Sequence, residues 1–117
     1  ETNALEMPAA LEIEYARSLA GIRIAERSLA EMRRGGSVAA IDGERWLARM
    51  KRLFPDVREG DRITGVHRPG EGARFHLNGR FVGELREAEF ARRFFGIWLS
   101  PQTSEPELRA DLLGIRR

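Results

Sequence analysis

The chain has 117 residues, 42% hydrophobic and 32% charged, the balance of one globular domain rather than a disordered segment. Its formal charge is only +2, because 20 basic side chains are interspersed with 18 acidic ones, so no nucleic-acid partner is expected. The absence of cysteine excludes disulfides, thiol catalysis and zinc–cysteine sites, and no apolar run approaches the ~20 residues of a membrane span.

Residues 1–9 have no hydrophobic period, contain Pro8, and read as a loop or linker. The chain starts at Glu1 rather than Met and has no signal-peptide pattern, so it reads as a mature or trimmed product. Leu11, Ile13 and Tyr15 alternate with Glu12 and Glu14, which predicts a half-buried strand reaching about Arg17. Ser18–Gly21 is a turn. Ile22, Ala25, Leu29 and Met32 form an apolar stripe on a first helix, Ile22–Arg34. Arg33 and Arg34 suit the negative end of its dipole, and Gly35-Gly36 ends it. After a short apolar connection, Val38–Ile41, Asp42 is the expected N-cap of a second helix, Gly43–Phe54. Its buried stripe is Trp46, Leu47, Met50, Leu53 and Phe54. Its outer face carries Arg45, Arg49, Lys51 and Arg52, read as solvated. Pro55 stops it.

Beyond a polar turn, Asp56–Gly60, the segment Asp61–Arg68 has β character. The turn Pro69-Gly70-Glu71-Gly72 leads into Ala73–Leu77, and Asn78-Gly79 then tolerates the positive φ angles of a type I′ hairpin turn before Arg80–Glu84. These three strands form an antiparallel meander. A third helix, about Glu87 to Leu99, carries Phe90, Phe94, Ile97 and Trp98 at helical spacing, and Ser100-Pro101 ends it. Ser104, Pro106 and Glu107 start a last short helix, which buries Leu108, Leu112 and Leu113 and stops at Gly114. The order β-α-α-β-β-β-α-α segregates strands from helices. It predicts an α+β domain with an antiparallel sheet covered on one face.

Candidate functional residues are few. No spacing suits a metal or a catalytic constellation, so no cofactor, no metal and no catalytic residue are expected. His67 and His76 fall on adjacent strands and read as sheet histidines that lie near each other. Gly65 and Gly83 within strands suggest bulges or close backbone approach. Phe94 and Phe95 point about 100° apart on a helix, so one of them, or Trp98, is expected to line an apolar cleft between helix and sheet. Tyr15 shares its strand face with Leu11 and Ile13 and brings a hydroxyl to the rim. The candidate ligand-binding set is therefore Tyr15, Phe94, Phe95 and Trp98.

From Trp46 to Gly114 the residues resemble the bacterial branch of the chalcone isomerase-like family. The resemblance is carried by Leu53-Phe54-Pro55-Asp56-Val57 followed by Gly60-Asp61-Arg62-Ile63, then Pro69-Gly70-Glu71-Gly72 and Leu77-Asn78-Gly79. Phe90 with Ile97-Trp98-Leu99, and Leu108-Arg109 with Leu112-Leu113-Gly114, complete it. It implies an open-faced β-sandwich with a ligand cleft between sheet and helices. Plant members include the flavonoid-pathway isomerase and fatty-acid binders. Bacterial members are mostly non-enzymatic or uncharacterised, and commonly exported, which implies a periplasmic location. The family's polar ligand handles, an Arg and a Tyr, lie on strands expected before Leu11, so none is carried over. The chain then corresponds to the C-terminal two thirds of such a domain, and an N-terminal fragment or second chain is expected to complete the sheet. The implied function is non-enzymatic binding of an apolar ligand such as a fatty acid. A chalcone-type isomerase and a partner-binding scaffold are the alternatives.

Overall fold

A computed structural model describes residues 7–99. In chain order these form β1 (Ala9–Glu14), α1 (Gly21–Arg34), α2 (Ala40–Leu53), β2 (Arg62–Arg68), β3 (Gly72–Leu77), β4 (Arg80–Leu85) and α3 (Ala88–Leu99). The order matches the expected one as far as it reaches. The short helix expected after Ser104 lies outside the described residues.

Three features differ from the sequence reading. Strand β1 ends at Glu14 rather than near Arg17, because Tyr15 leaves the ladder to bond the Asp61 carbonyl and Gly60 N–H in the loop before β2. Helix α2 begins three residues early: Ala39 takes the N-cap position without a side-chain bond, and Asp42 sits in the first turn, holding Arg45 at 3.0 Å. A carboxylate serves the helix dipole in the first turn as well as at the cap, and Ala40 is a strong helix former. Ile22 was expected in the buried stripe of α1 but is 52% exposed. The buried stripe instead runs through Gly21, Ile24, Ala25, Ser28, Leu29 and Met32.

The strands form one sheet in the order β1-β2-β3-β4, each neighbour antiparallel. Strand β1 thus extends the expected meander by one strand, across the two intervening helices. At the β3–β4 turn Leu77 pairs with Arg80, and Asn78 (φ 50°) and Gly79 (φ 85°) both take positive φ. The Asn78 side chain accepts from the Arg62 N–H at 2.9 Å and donates to Asp61 at 3.1 Å, so the hairpin is tied to the start of β2. Opposite Phe75 and His76 the register shifts between Gly83 and Phe81, leaving Val82 as the extra residue of a bulge. A side chain on Gly83 would lie 2.3 Å from the Leu53 side chain of α2, so close approach beside the bulge accounts for that glycine.

All three helices lie on one face. Helix α3 packs on β2 and β3, α2 on β4, and α1 mainly on α2 and α3. Phe94 is the hub of the aromatic core, with ring centroids 5.3 Å from Phe75, 5.5 Å from Phe90 and 5.4 Å from Trp98. Trp46 of α2 meets Phe90 edge-on and donates its indole N–H to Glu87 at 3.1 Å. Arg45 pairs with the same carboxylate. Burial works against the charge on Glu87, but these donors outweigh it and hold its pKa below the usual glutamate value. The opposite face of the sheet is mostly polar rather than apolar. Glu14 lies 3.6 Å from Arg62, Arg74 lies 3.7 Å from Glu84, and the Arg74 guanidinium covers the exposed Phe81 ring.

The start of α1 is held from a distance. Ala20 offers no side-chain cap, and the Gly21 N–H donates instead to the Asp56 carboxylate at 2.8 Å. Leu19 and Val57 exchange backbone hydrogen bonds of 3.0 and 2.9 Å beside it. Helix α1 is thereby pinned at its N-terminus to the segment that follows α2.

Candidate functional site: an apolar cavity between α1 and the sheet

Because α1 leans on α2 and α3 rather than on a strand, space remains between it and the β1–β2 edge of the sheet. That space is a cavity of about 350 Å³. Ile13 of β1, Tyr15 just beyond it and Ile63 of β2 form its sheet wall. Phe94, Ile97 and Trp98 of α3 form a second wall, with Phe54 from the end of α2. Ile24, Ser28 and Glu31 of α1 form the third, and Arg27, whose side chain is 71% exposed, marks the side open to solvent. The volume lies at the small end of the ~300–1,000 Å³ range of ligand pockets, and the lining is apolar with a few polar groups, as in such pockets.

Of the four candidate residues, Tyr15, Phe94 and Trp98 meet at this cavity. Phe95 does not. It is fully buried on the β2 side of α3, stacked on His67 at 4.8 Å, with its ring close against Gly65. A side chain on Gly65 would reach within 3.2 Å of the Phe95 ring, so that glycine answers to close packing. The sequence reading missed the contribution of α1. Its signal was a small polar residue, Ser28, on an otherwise apolar buried stripe, flanked by Arg27 and Glu31.

The polar groups are disposed unevenly. The Ser28 hydroxyl donates to the Ile24 carbonyl at 2.8 Å, so its proton is taken. The Tyr15 hydroxyl has no hydrogen-bond partner among the described residues, and burial raises its pKa above 10.0, so it stays a neutral donor. Arg27 Nε donates to Glu31 at 3.1 Å, and Arg34 lies 3.6 Å from the same carboxylate. Among the described residues no group of three His, Cys, Asp or Glu side chains is placed to hold a metal ion. A second depression of about 120 Å³, between Arg49, Arg52 and Glu84, has cationic and anionic walls together and does not select an anion.

The two histidines do not meet. His67 is opposite Ala73 and faces the helices, whereas His76 is opposite Thr64 and faces away. Residues an odd number of steps apart along a paired register point to opposite faces. His67 is 1% exposed, its Nδ1 has no partner among the described residues, and burial pushes its pKa below the ordinary 6.5. The unfolded chain therefore takes up a proton that the folded chain refuses, and stability falls as the pH drops below 6.5. His67→Phe, which keeps a ring against Phe95, is expected to abolish this loss. Urea midpoints at about pH 7 and about pH 5.5 check it: an unchanged slope in the variant would assign the proton elsewhere.

Fold and cavity together define a class of α+β domain in which helices cover one face of an antiparallel sheet and leave an apolar cavity between the layers. A family profile described as chalcone isomerase-like matches residues 4–114, and the chain belongs to that family. It is 30% identical over 111 residues to an uncharacterised protein of Haemophilus influenzae, covering 93% of this chain and 53% of that one. The crystal structure of the Arabidopsis thaliana fatty-acid binding protein AtFAP1 superposes with a TM-score of 0.71 at 15% identity, over 92% of this chain and 56% of the plant one. At that identity the likeness concerns the fold. The chain spans about half the length of both relatives.

Proposed function

We propose that this domain binds one apolar ligand, of which a fatty acid is the type, in the cavity behind α1, and that it does so without catalysis. The observation that carries the reading is the cavity, about 350 Å³ and walled mainly by Ile13, Ile24, Ile63, Phe94 and Ile97. Removing such a surface from water is favourable by ~25 cal/mol per Å², so an apolar guest is the natural occupant. The fold shared with a plant fatty-acid binding protein supports the same reading. Both sheet edges, β1 and β4, lack a further strand among the described residues, which leaves room for an added segment or second chain. Completion of the sheet in this way is part of the proposal.

The test combines native mass spectrometry of the purified protein with titration calorimetry using decanoate. Ser28 is buried and lines the cavity, so Ser28→Phe fills it from within. The expected result is at least a ten-fold loss of decanoate affinity with stability kept or raised, since the new ring occupies empty apolar space. Undiminished binding by a folded Ser28→Phe variant would place the ligand elsewhere.

A further inference from the structure

We infer that Asn78 is a latent self-modification site: attack by the Gly79 nitrogen turns its side-chain amide into a carboxylate, the closed hairpin guards against that attack, and conversion unties the hairpin from β2. The first argument is chemical. Of the two asparagines in the sequence, Asn3 precedes alanine and Asn78 precedes glycine. Glycine has no Cβ to crowd its nitrogen, so Gly79 can close on the side chain before it. The Gly79 nitrogen, its proton given to hydroxide, attacks the Asn78 amide carbon. A ring N–C bond forms, the bond from that carbon to Nδ2 breaks, and ammonia leaves with a proton taken from water. Water then opens the five-membered imide at either carbonyl. One opening leaves aspartate, the other an isoaspartyl link in which the backbone runs through the side-chain carbons. Water is the one co-reactant consumed.

The second argument is exposure against restraint. Asn78 and Gly79 are exposed at the hairpin tip, and the Gly79 N–H has no hydrogen-bond partner among the described residues. A side chain built on Gly79 would meet nothing within 4 Å, so the nitrogen is open to solvent base. The Asn78 amide is held instead. Its oxygen accepts from the Arg62 N–H at 2.9 Å and its nitrogen donates to the Asp61 carboxylate at 3.1 Å. The Asn78 N–H donates to the Arg62 carbonyl at 2.7 Å, which fixes the main chain as well. Ring closure requires the amide to release both side-chain bonds and swing onto Gly79. The Asp61 charge beside it also disfavours a deprotonated nitrogen. Conversion is therefore slow while this corner is closed and fast once it opens.

The third argument is what conversion does. The new carboxylate cannot donate where Nδ2 did, and it faces the Asp61 carboxylate across the former 3.1 Å bond. The Arg58 N–H and the Asn78 amide together hold the Asp61 carboxyl below its ordinary value, and conversion replaces the second of these donors with a like charge. The isoaspartyl form also lengthens the main chain of a two-residue turn, which is incompatible with the Leu77–Arg80 pairing. The same corner holds the end of β1, since the Asp61 carbonyl accepts from the Tyr15 N–H at 2.9 Å and the Gly60 N–H donates to the Tyr15 carbonyl at 2.8 Å. Ammonia is lost to solvent, so a chain that has converted stays loosened.

The experiment incubates the protein at about pH 8 with and without about 6 M urea, then digests it with trypsin. Cleavage after Arg74 and Arg80 releases Phe75–Arg80, whose conversion reads as a mass gain of about 1 Da and two isomeric products. In urea Asn78 is expected to convert at least about five-fold faster than Asn3, whose neighbour carries a Cβ. The folded chain is expected to convert Asn78 at least about ten-fold more slowly than the chain in urea. Asn78→Asp mimics one product and is expected to lower the melting temperature by about 3–6 °C, and by less than half of that in an Asp61→Asn background, where the like charge is gone. No conversion of Asn78 in urea would overturn the site. Equal rates in the folded and urea-treated chains would overturn the guarding role. An Asn78→Asp loss undiminished by Asp61→Asn would overturn the charge conflict at the corner. Each outcome is read without any ligand, so the function proposed above stands or falls separately.

Discussion

Replacement of Gly21 by alanine is expected to cost about 2–4 kcal/mol and to lower the melting temperature by roughly 10 °C or more. A methyl group there would lie 2.1 Å from the Phe54 carbonyl oxygen and 2.9 Å from that of Pro55. Both are backbone atoms, so no rotamer change relieves the clash. The helix must move off the segment 54–57. That movement breaks the 2.8 Å bond from Gly21 N–H to Asp56, leaving the start of α1 without its borrowed cap, and strains the Leu19–Val57 bridge. The control is Gly35→Ala at the other end of α1, where φ is −81° and the nearest atom is 3.6 Å away. It should be close to neutral. Thermal melts of the two variants measure the contrast, and a Gly21→Ala variant as stable as Gly35→Ala would contradict the close approach.

The second large effect is expected at Phe94. Phe94→Ala removes a ring that meets Phe54, Phe75, Phe90, Phe95 and Trp98, and a buried phenylalanine truncated in this way costs about 3–5 kcal/mol. The same ring forms one wall of the cavity, so the space it vacates joins the cavity rather than forming a separate void. A guest longer than the wild type accepts should then fit, and at about 100 times its dissociation constant it returns ~2.7 kcal/mol of stability. Urea unfolding with and without palmitate reads both effects. If the variant loses stability but palmitate restores none of it, Phe94 belongs to the core and not to the ligand wall. Phe94→Leu, which fills most of the same volume, provides a milder form of the test.

Local signals were the most legible in the sequence. Asn78-Gly79 fixed a hairpin because only a narrow set of residues accepts two successive positive φ angles. The aromatic spacing from Phe90 to Trp98 fixed α3 and the face it buries. Long-range geometry was not legible. Nothing in Ser18–Gly21 announces that its helix is capped by Asp56, because the two meet only once α1 and the segment after α2 are side by side. The cavity was half legible. Its aromatic wall follows from the 100° step between Phe94 and Phe95, which sends one ring toward α1 and the other toward His67. Its α1 wall depends on how far that helix stands from the sheet, which is set by packing against α2 and α3. The faces of the two histidines hang on strand parity across the Pro69–Gly72 turn, and a one-residue change in that turn would have put both on one face.

The pairing of β1 with β2 has a consequence for the order of assembly. Strands β2, β3 and β4 and helix α3 are contiguous and joined by short turns, so their contacts close small loops. Strand β1 reaches its partner only across α1 and α2, and that closure costs more entropy than any within the β2–β4 meander. The β1–α1 arm is therefore expected to condense last and to detach first. Ile63, Phe94 and Trp98 belong to the early unit, and Ile13, Tyr15 and Ser28 to the late arm. The cavity thus coincides with a seam between two cooperative units. Under the function proposed above, a guest would enter by partial release of the arm, through an opening that costs less than global unfolding, and once inside would bond the two units together.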